Sequence, residues 1–198
     1  MPRVAPTFEG PIPNYVRLRR EAQQAVSNEL GIIARPDVRS GLAADIIRQA
    51  DAEIGLHSDE RNAALASLWF YDHIQAVSLG HAIGVNRNAV REILSSVAYG
   101  DAKKPLPPRM TDEELTEMGE QLGVQRVESA AERLPSLGRI IEKAKARRGR
   151  AVRFMQDAAL ALTEEPYGWD PARIADHAGV RRRLIYKHLA AAKQRQAR

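Results

Sequence analysis

Apolar residues recur at helical spacing along almost the whole chain, and this periodicity is the feature that most limits its fold. Near the N-terminus, one face of a predicted helix carries Val16, Ala22, Val26 and Leu30, and Gly31 is placed to end it. Similar stripes continue through the remaining sequence, and no two alternating segments are joined by a hairpin turn. The sequence therefore predicts an all-α fold.

Capping residues predict where several of the other helices begin. Ser58, followed by two acidic residues, is predicted to be a helix N-cap, and Thr111 with Glu114 has the spacing of a capping box. A basic run ending at Arg150 is interrupted by Gly149, which is expected to separate two helices. Outside the two motifs, the further helices are predicted over residues 37 or 40 to 54, 58–71, 111–122, 124–134, 137–146 and 150–163.

A proline-bearing stretch separates two predicted helical domains. Lys103 and Lys104 precede three prolines in the segment 101–110, a composition typical of a linker. We therefore expect an N-terminal helical domain over residues 1–100 and a C-terminal helical domain over residues 111–198.

The positive charge is concentrated near the C-terminus. The net charge is +5, and residues 143–198 hold 14 Lys and Arg against 5 Asp and Glu. A concentrated cationic surface attracts polyanions because each phosphate contact releases condensed counterions. The charge pattern therefore favours a nucleic-acid partner.

Several classes of protein are excluded or disfavoured by composition. The chain has no cysteine, so it has no disulfides. No apolar run approaches the roughly 18 residues of a membrane span, and Met1–Gly10 lacks the apolar core of a signal peptide. We expect a cytoplasmic protein without membrane contact. The Ala- and Arg-rich, aromatic-poor composition is typical of a bacterial genome of high GC content, or of a phage or plasmid living in one.

The stretch 76–95 resembles the bacterial helix-turn-helix pattern along its whole length. Gly80 suits the predicted crossing of the two helices, and Gly84 suits the turn between them. The apolar residues expected to hold the two helices together are Ala76, Leu79, Ile83, Val85, Val90, Ile93 and Val97. The residues left facing outward are Asn86, Arg87, Asn88 and Arg91. Arg can bond guanine through O6 and N7, and Asn can bond adenine in the same way. This motif is therefore predicted to read bases in the major groove.

A second motif lies at the C-terminus, in the segments Asp157–Thr163, Tyr167–Gly168, Ile174–Val180 and Leu184–Leu189. In order and spacing, residues 150–193 resemble the DNA-binding head of the tetracycline-repressor (TetR) family, with the helix-turn-helix at 171–190. The resemblance places five residues toward the groove: Arg181, Arg182, Arg183, Tyr186 and Lys187. His188 departs from that family, which usually has an aromatic or apolar residue there.

The residues of this second motif also indicate a helix-turn-helix without the resemblance. Asp170 is placed to cap a helix, with Pro171 at its first position and Trp169 able to pack onto Ile174. Gly179 is placed at the turn. The predicted core positions are Ile174, Ala175, Ala178, Ile185 and Leu189.

Five cations outside the two motifs are expected to contact phosphates: Lys103, Lys104, Arg147, Arg148 and Arg150. Replacing Arg147 and Arg148 is therefore expected to weaken binding to all DNA. A third, partial echo of the motif at 118–124 is interpreted as a structural or partner-binding segment, because acidic residues cover its outer face.

No enzymatic chemistry is predicted. The five histidines lack metal-binding spacing with carboxylates, and the sequence has neither a phosphate-binding glycine loop nor a nucleophile elbow. We therefore expect no catalytic residues, no metal and no cofactor.

These features predict a sequence-specific transcriptional regulator that binds double-stranded DNA, with repression favoured over activation. A monomer could grip two half-sites, or a homodimer could read a longer palindrome. Two other classes stay open. One is a protein-interaction adaptor that docks on a partner such as RNA polymerase, and the other is a non-specific nucleoid-type DNA binder.

Overall fold

The computed structural model describes residues 6–107 and 110–197. Within those residues the chain forms helices, turns and loops without a β-strand, so the predicted all-α fold is confirmed. No helix there combines the length and the apolar character that crossing a membrane requires. The helices are α1 Tyr15–Gly31, α2 Pro36–Phe70, α3 Ala76–Ile83, α4 Arg87–Tyr99, α5 Asp112–Gln121, α6 Ala130–Thr163, α7 Pro171–Ala178 and α8 Arg182–Gln196.

Helix α1 follows the prediction closely except at its first turn. It ends at Gly31, as expected, and Ala22, Val26 and Leu30 are buried. Val16 was predicted to face inward but is 76% exposed. The buried residue of this turn is Tyr15, because it lies seven residues before Ala22 and therefore on the same helical face.

The predicted break between residues 54 and 58 is wrong, because α2 runs without interruption from Pro36 to Phe70. Ser58 is not an N-cap. Its hydroxyl donates to the carbonyl of Ile54 at 2.6 Å, one turn earlier in the same helix. A serine inside a helix can satisfy its hydroxyl in this way, so its capping preference does not by itself locate a helix end.

The three helices predicted over 124–134, 137–146 and 150–163 are also one helix, α6, which begins only at Ala130 and contains Pro135 and Gly149. Pro135 is the sixth residue of α6, so it removes only the backbone bond to Ala131. Gly149 costs about 1 kcal/mol of helix propensity relative to alanine, which packing of the flanking turns can offset. Neither residue is sufficient to end the helix.

The chain divides into two compact units, and neither is continuous in sequence. The α3–α4 unit contains the described residues up to Leu18 together with Ile54–Glu142. The α7–α8 unit contains Arg19–Glu53 together with the described residues from Lys143 onward. This division differs from the sequential domains 1–100 and 111–198, because α2 and α6 continue through the positions where the sequence predicted helix ends.

The core of the α3–α4 unit includes part of the predicted linker. Leu106 is only 5% exposed and belongs to this core, so segment 101–110 is not a free connection. Pro108 and Arg109 lie outside the described residues. The largest fully buried side chains of the unit are Leu65, Phe70, Leu79, Ile83, Leu94, Leu134 and Ile141.

The core of the α7–α8 unit is built from α1, α2 and the C-terminal helices. All five core positions predicted for the second motif are buried, with Ile174 and Ile185 fully inaccessible. Met155, Ala159 and Leu162 of α6 complete this core.

Candidate nucleic-acid interface

A tight three-residue turn joins α3 to α4. Gly84 adopts the left-handed conformation (φ 73°, ψ 27°), which a residue without a Cβ reaches at little cost. The N–H of Val85 donates to the carbonyl of Gly80 at 2.9 Å. A Cβ on Gly80 would lie 2.7 Å from the Val85 carbonyl oxygen. A side chain at position 80 would therefore crowd the turn, and not only the neighbouring helix.

Helix α4 is fixed to the core by one row of side chains. Val90, Leu94 and Ala98 are buried at successive turns, and of these only Val90 was predicted. Ile93 and Val97, which were also predicted, are half-buried and pack at the edge of the same core. This anchoring leaves the opposite side of α4 exposed.

The four outward residues predicted on α4 differ in their surroundings. Asn86 is the N-cap, and its Oδ1 accepts the N–H of Ala89 at 2.9 Å. Because that oxygen is engaged, Asn86 is poorly placed for the two-point contact with adenine that the sequence suggested. Arg87 and Asn88 are exposed at the start of the helix, and Arg91 is half-buried one turn after Arg87.

In the part of the chain that the structure describes, Arg91 of α4 lines two clefts. The first has a volume of about 440 Å³ and is lined by Trp69, Gln75, Ala76, Val77, Arg87, Arg91, Pro107, Met110 and Leu115. The second, of about 450 Å³, is lined by Arg91, Glu92, Ser95, Ala102, Lys103, Lys104, Pro105 and Leu106. The Lys104 ammonium lies 4.0 Å from the centroid of the Tyr99 ring. The structure thus brings Lys103 and Lys104 beside Arg91, a grouping that their spacing in sequence does not indicate.

The turn between α7 and α8 repeats the first one closely. Gly179 is left-handed (φ 63°, ψ 38°), and the N–H of Val180 donates to the carbonyl of Ala175 at 2.9 Å. Asp170 caps α7 through the N–H of Arg173 at 2.7 Å, and Pro171 takes the first helical position, as predicted.

The five groove-facing residues expected in the second motif are all exposed; Arg181 is the N-cap of α8, and the other four lie within the helix. Two of them form a pair, since Arg182 Nη2 donates to the hydroxyl of Tyr186 at 2.9 Å. The Arg182 guanidinium also lies 5.5 Å from the centroid of the Tyr186 ring. Tyr186 therefore orients Arg182 along the exposed face of the helix.

The basic run at 147–150 is occupied by contacts within the protein. Arg147 pairs with Glu53 at 3.1 Å, and Arg148 pairs with Asp51 at 2.5 Å. Arg150 donates to the hydroxyl of Ser27 at 2.7 Å. The two ion pairs balance the charges of Arg147 and Arg148 with carboxylates of the same unit. The uniform loss of DNA affinity expected from replacing Arg147 and Arg148 therefore no longer follows.

A residue that sequence reasoning missed supports the second turn. Arg48 Nη1 donates to the carbonyl of Ala178 at 3.2 Å, at the C-terminal end of α7. Helix-end carbonyls lack partners within the helix, so this bond stabilises the end that precedes the turn. No local signal could have indicated it, because the two residues are 130 positions apart.

His188 is a polar residue of α8 that is unfavourable for the stability of the fold. It is only 5% exposed, and its Nε2 has no hydrogen-bond partner among the described residues. Burial, with a further contribution from the charge of Arg148, lowers the pKa of His188. The side chain is therefore neutral at pH 7 and occupies a place suited to an apolar residue.

The partial echo at 118–124 has the same turn but a different continuation. Gly123 is left-handed (φ 70°), and the N–H of Val124 donates to the carbonyl of Gly119 at 2.9 Å. The next helix, α6, begins only at Ala130, and the Val124 carbonyl accepts the hydroxyl of Tyr71 at 2.5 Å. These contacts favour a structural role for the turn.

The chain was compared with known proteins in three ways. No protein-family model, no curated protein and no solved structure matches it.

Proposed function

We propose that this protein is a sequence-specific transcriptional regulator that binds double-stranded DNA through two helix-turn-helix segments, α3–α4 and α7–α8, with repression favoured. The observation that carries the proposal is a turn with the same glycine conformation and the same Val N–H bond at 2.9 Å that is followed at once, in two places, by a helix with exposed cations. In both cases the second helix begins directly after the turn and exposes cationic residues in its first turns. A helix presented in this way fits the major groove.

The two segments differ in the chemistry they offer to DNA. The start of α8, with its N-cap Arg181, exposes three consecutive arginines, and Lys187 follows on the helix; this set is suited to phosphates and guanine edges. Helix α4 exposes Arg87 and Asn88, which together can distinguish guanine from adenine. We infer that α8 contributes more of the affinity and α4 more of the specificity.

Fluorescence anisotropy across a salt series tests the proposal. The probes are DNA from upstream of the protein's own gene and random duplex of equal length. A steep salt dependence with about a thousandfold preference for the upstream DNA is the expected result for an autoregulating factor. A steep dependence with no preference, for these probes or after selection from a random library, would leave a nucleoid-type binder. An absence of binding at low salt would favour the protein-interaction adaptor.

Arg87→Ala is expected to weaken binding to the preferred sequence about tenfold while leaving binding to random duplex nearly unchanged, because a base contact is lost. Lys103→Ala, which removes a cation that lines the same cleft as Arg91, is the control for Arg87→Ala. It is expected to weaken binding to every sequence and to reduce the salt slope by about 1, because a phosphate contact is lost. Titration of both variants against both duplexes measures the difference. Equal losses on the two duplexes for Arg87→Ala would remove α4 as a base-reading helix.

A further inference from the structure

The repeated turn puts α4 and α8 into a common register. Val85 and Val180 make the same bond at 2.9 Å, so residues at equal distances after them occupy equivalent helical positions. Seven residues after the turn valine, α4 carries Glu92 and α8 carries Lys187, and both are exposed. The two helices therefore present opposite charges at the same position.

Glu92 stands among cations without being paired to any of them. It lines the 450 Å³ cleft together with Arg91, Lys103 and Lys104. Among the described residues Glu92 makes no ion pair, in contrast to the carboxylates that pair with Arg147 and Arg148. Its carboxylate is thus available to a partner outside the chain.

A free carboxylate on this face opposes phosphate binding, since like charges repel at the distances of a protein–DNA contact. Two bases present an amino donor in the major groove, cytosine through N4 and adenine through N6. Adenine places its N7 acceptor beside N6, which repels a carboxylate, so the N4 amino group of cytosine is the better partner for Glu. Guanine presents only acceptors at the corresponding edge, and thymine presents an acceptor and a methyl group. A glutamate at this position therefore favours a C·G pair and disfavours guanine and thymine on the contacted strand.

We propose that Glu92 is a specificity-determining residue that accepts a hydrogen bond from cytosine N4 in the sequence bound by α4. This inference rests on the proposed function, because it requires α4 to lie in the major groove. With Glu92, α4 then has a lower affinity for most DNA sequences than it would have with a neutral residue at that position. The hydrogen bond to cytosine N4 compensates for this loss at one base pair only, and the helix selects that pair.

Selection from a random duplex library about three helical turns long tests this inference. The full-length wild type, Glu92→Ala and Lys187→Ala are each used to enrich sequences, which are then read. The wild type is expected to enrich a motif with one invariant cytosine. Glu92→Ala is expected to lose about tenfold of its preference at that pair alone, while its affinity for random duplex rises roughly twofold to fivefold.

Lys187→Ala, the control at the matching position of α8, is expected to keep the cytosine and to lose affinity for all duplexes. An unchanged motif for Glu92→Ala would overturn the reading role while leaving the proposed function intact. The absence of any enriched motif with the wild type would overturn both. Circular dichroism of each variant checks that the helices are retained.

Discussion

Gly138→Ala is expected to destabilise the α3–α4 unit by about 2–3 kcal/mol, although the same change inside a helix ordinarily stabilises it. A Cβ at position 138 would lie 2.7 Å from the Cα of Ile83 and 2.6 Å from the Tyr15 hydroxyl. The Ile83 Cα is backbone and cannot rotate away, and Tyr15 is held by its bond to the Ala82 carbonyl at 2.6 Å. Urea unfolding followed by circular dichroism measures the loss.

The same helix provides the matched control. Gly149 also lies inside α6, but a Cβ there would meet nothing within 4 Å. Gly149→Ala is therefore expected to stabilise the protein by about 1 kcal/mol. Two variants with the same chemistry in the same helix should thus change stability in opposite directions. Stabilisation by both would show that α6 does not approach α3 as closely as the structure indicates.

His188→Leu is expected to stabilise the α7–α8 unit by about 2 kcal/mol at neutral pH, because it removes a buried nitrogen without a partner. The gain should increase in acid. Burial and Arg148 lower the pKa of His188 in the folded protein. The unfolded chain therefore takes up a proton near the ordinary pKa of about 6.5, while the folded protein does so only at lower pH.

The lowered pKa of His188 determines the pH range over which stability changes. Stability of the wild type is expected to fall as the pH drops below about 6.5, and the loss stops growing below the folded pKa. Thermal unfolding of wild type and His188→Leu between about pH 7.5 and pH 5.5 measures the widening gap. Gln194→Ala, an exposed change in the same helix, should shift stability equally at every pH. A gap that is constant with pH would contradict the assignment to His188.

The local geometry of both motifs was predictable because it depends on residues close together in sequence. Gly84 and Gly179 are the residues that a left-handed turn favours, and Asp170 and Thr111 cap helices that begin one residue later. Apolar residues spaced by one helical turn identified Ile174 and its neighbours as core. At this scale, propensity and packing favour the same conformation.

The predictions from sequence were wrong where residues far apart in the chain determine the structure. Ser58 and Gly149 have the local character of helix ends, yet packing elsewhere in each helix keeps α2 and α6 continuous. The sequence indicated that Arg147 belongs to an unpaired basic surface. In the fold, Arg147 lies 3.1 Å from Glu53, which is 94 residues earlier in the chain. Neither the ion pair nor the support that Arg48 gives to Ala178 has a counterpart in local sequence.

The discontinuous composition of the two units affects how the protein is made. The core of the α7–α8 unit needs Val26 and Ala43, which emerge early from the ribosome, and Ile174 and Ile185, which emerge late. At about 5–20 residues per second, the apolar faces of segment 19–53 remain without these partners for roughly 5–25 seconds. During that interval they are substrates for chaperones and proteases. A product truncated near residue 105 would keep those faces exposed permanently, so we expect it to be degraded and not to accumulate as a shorter folded protein.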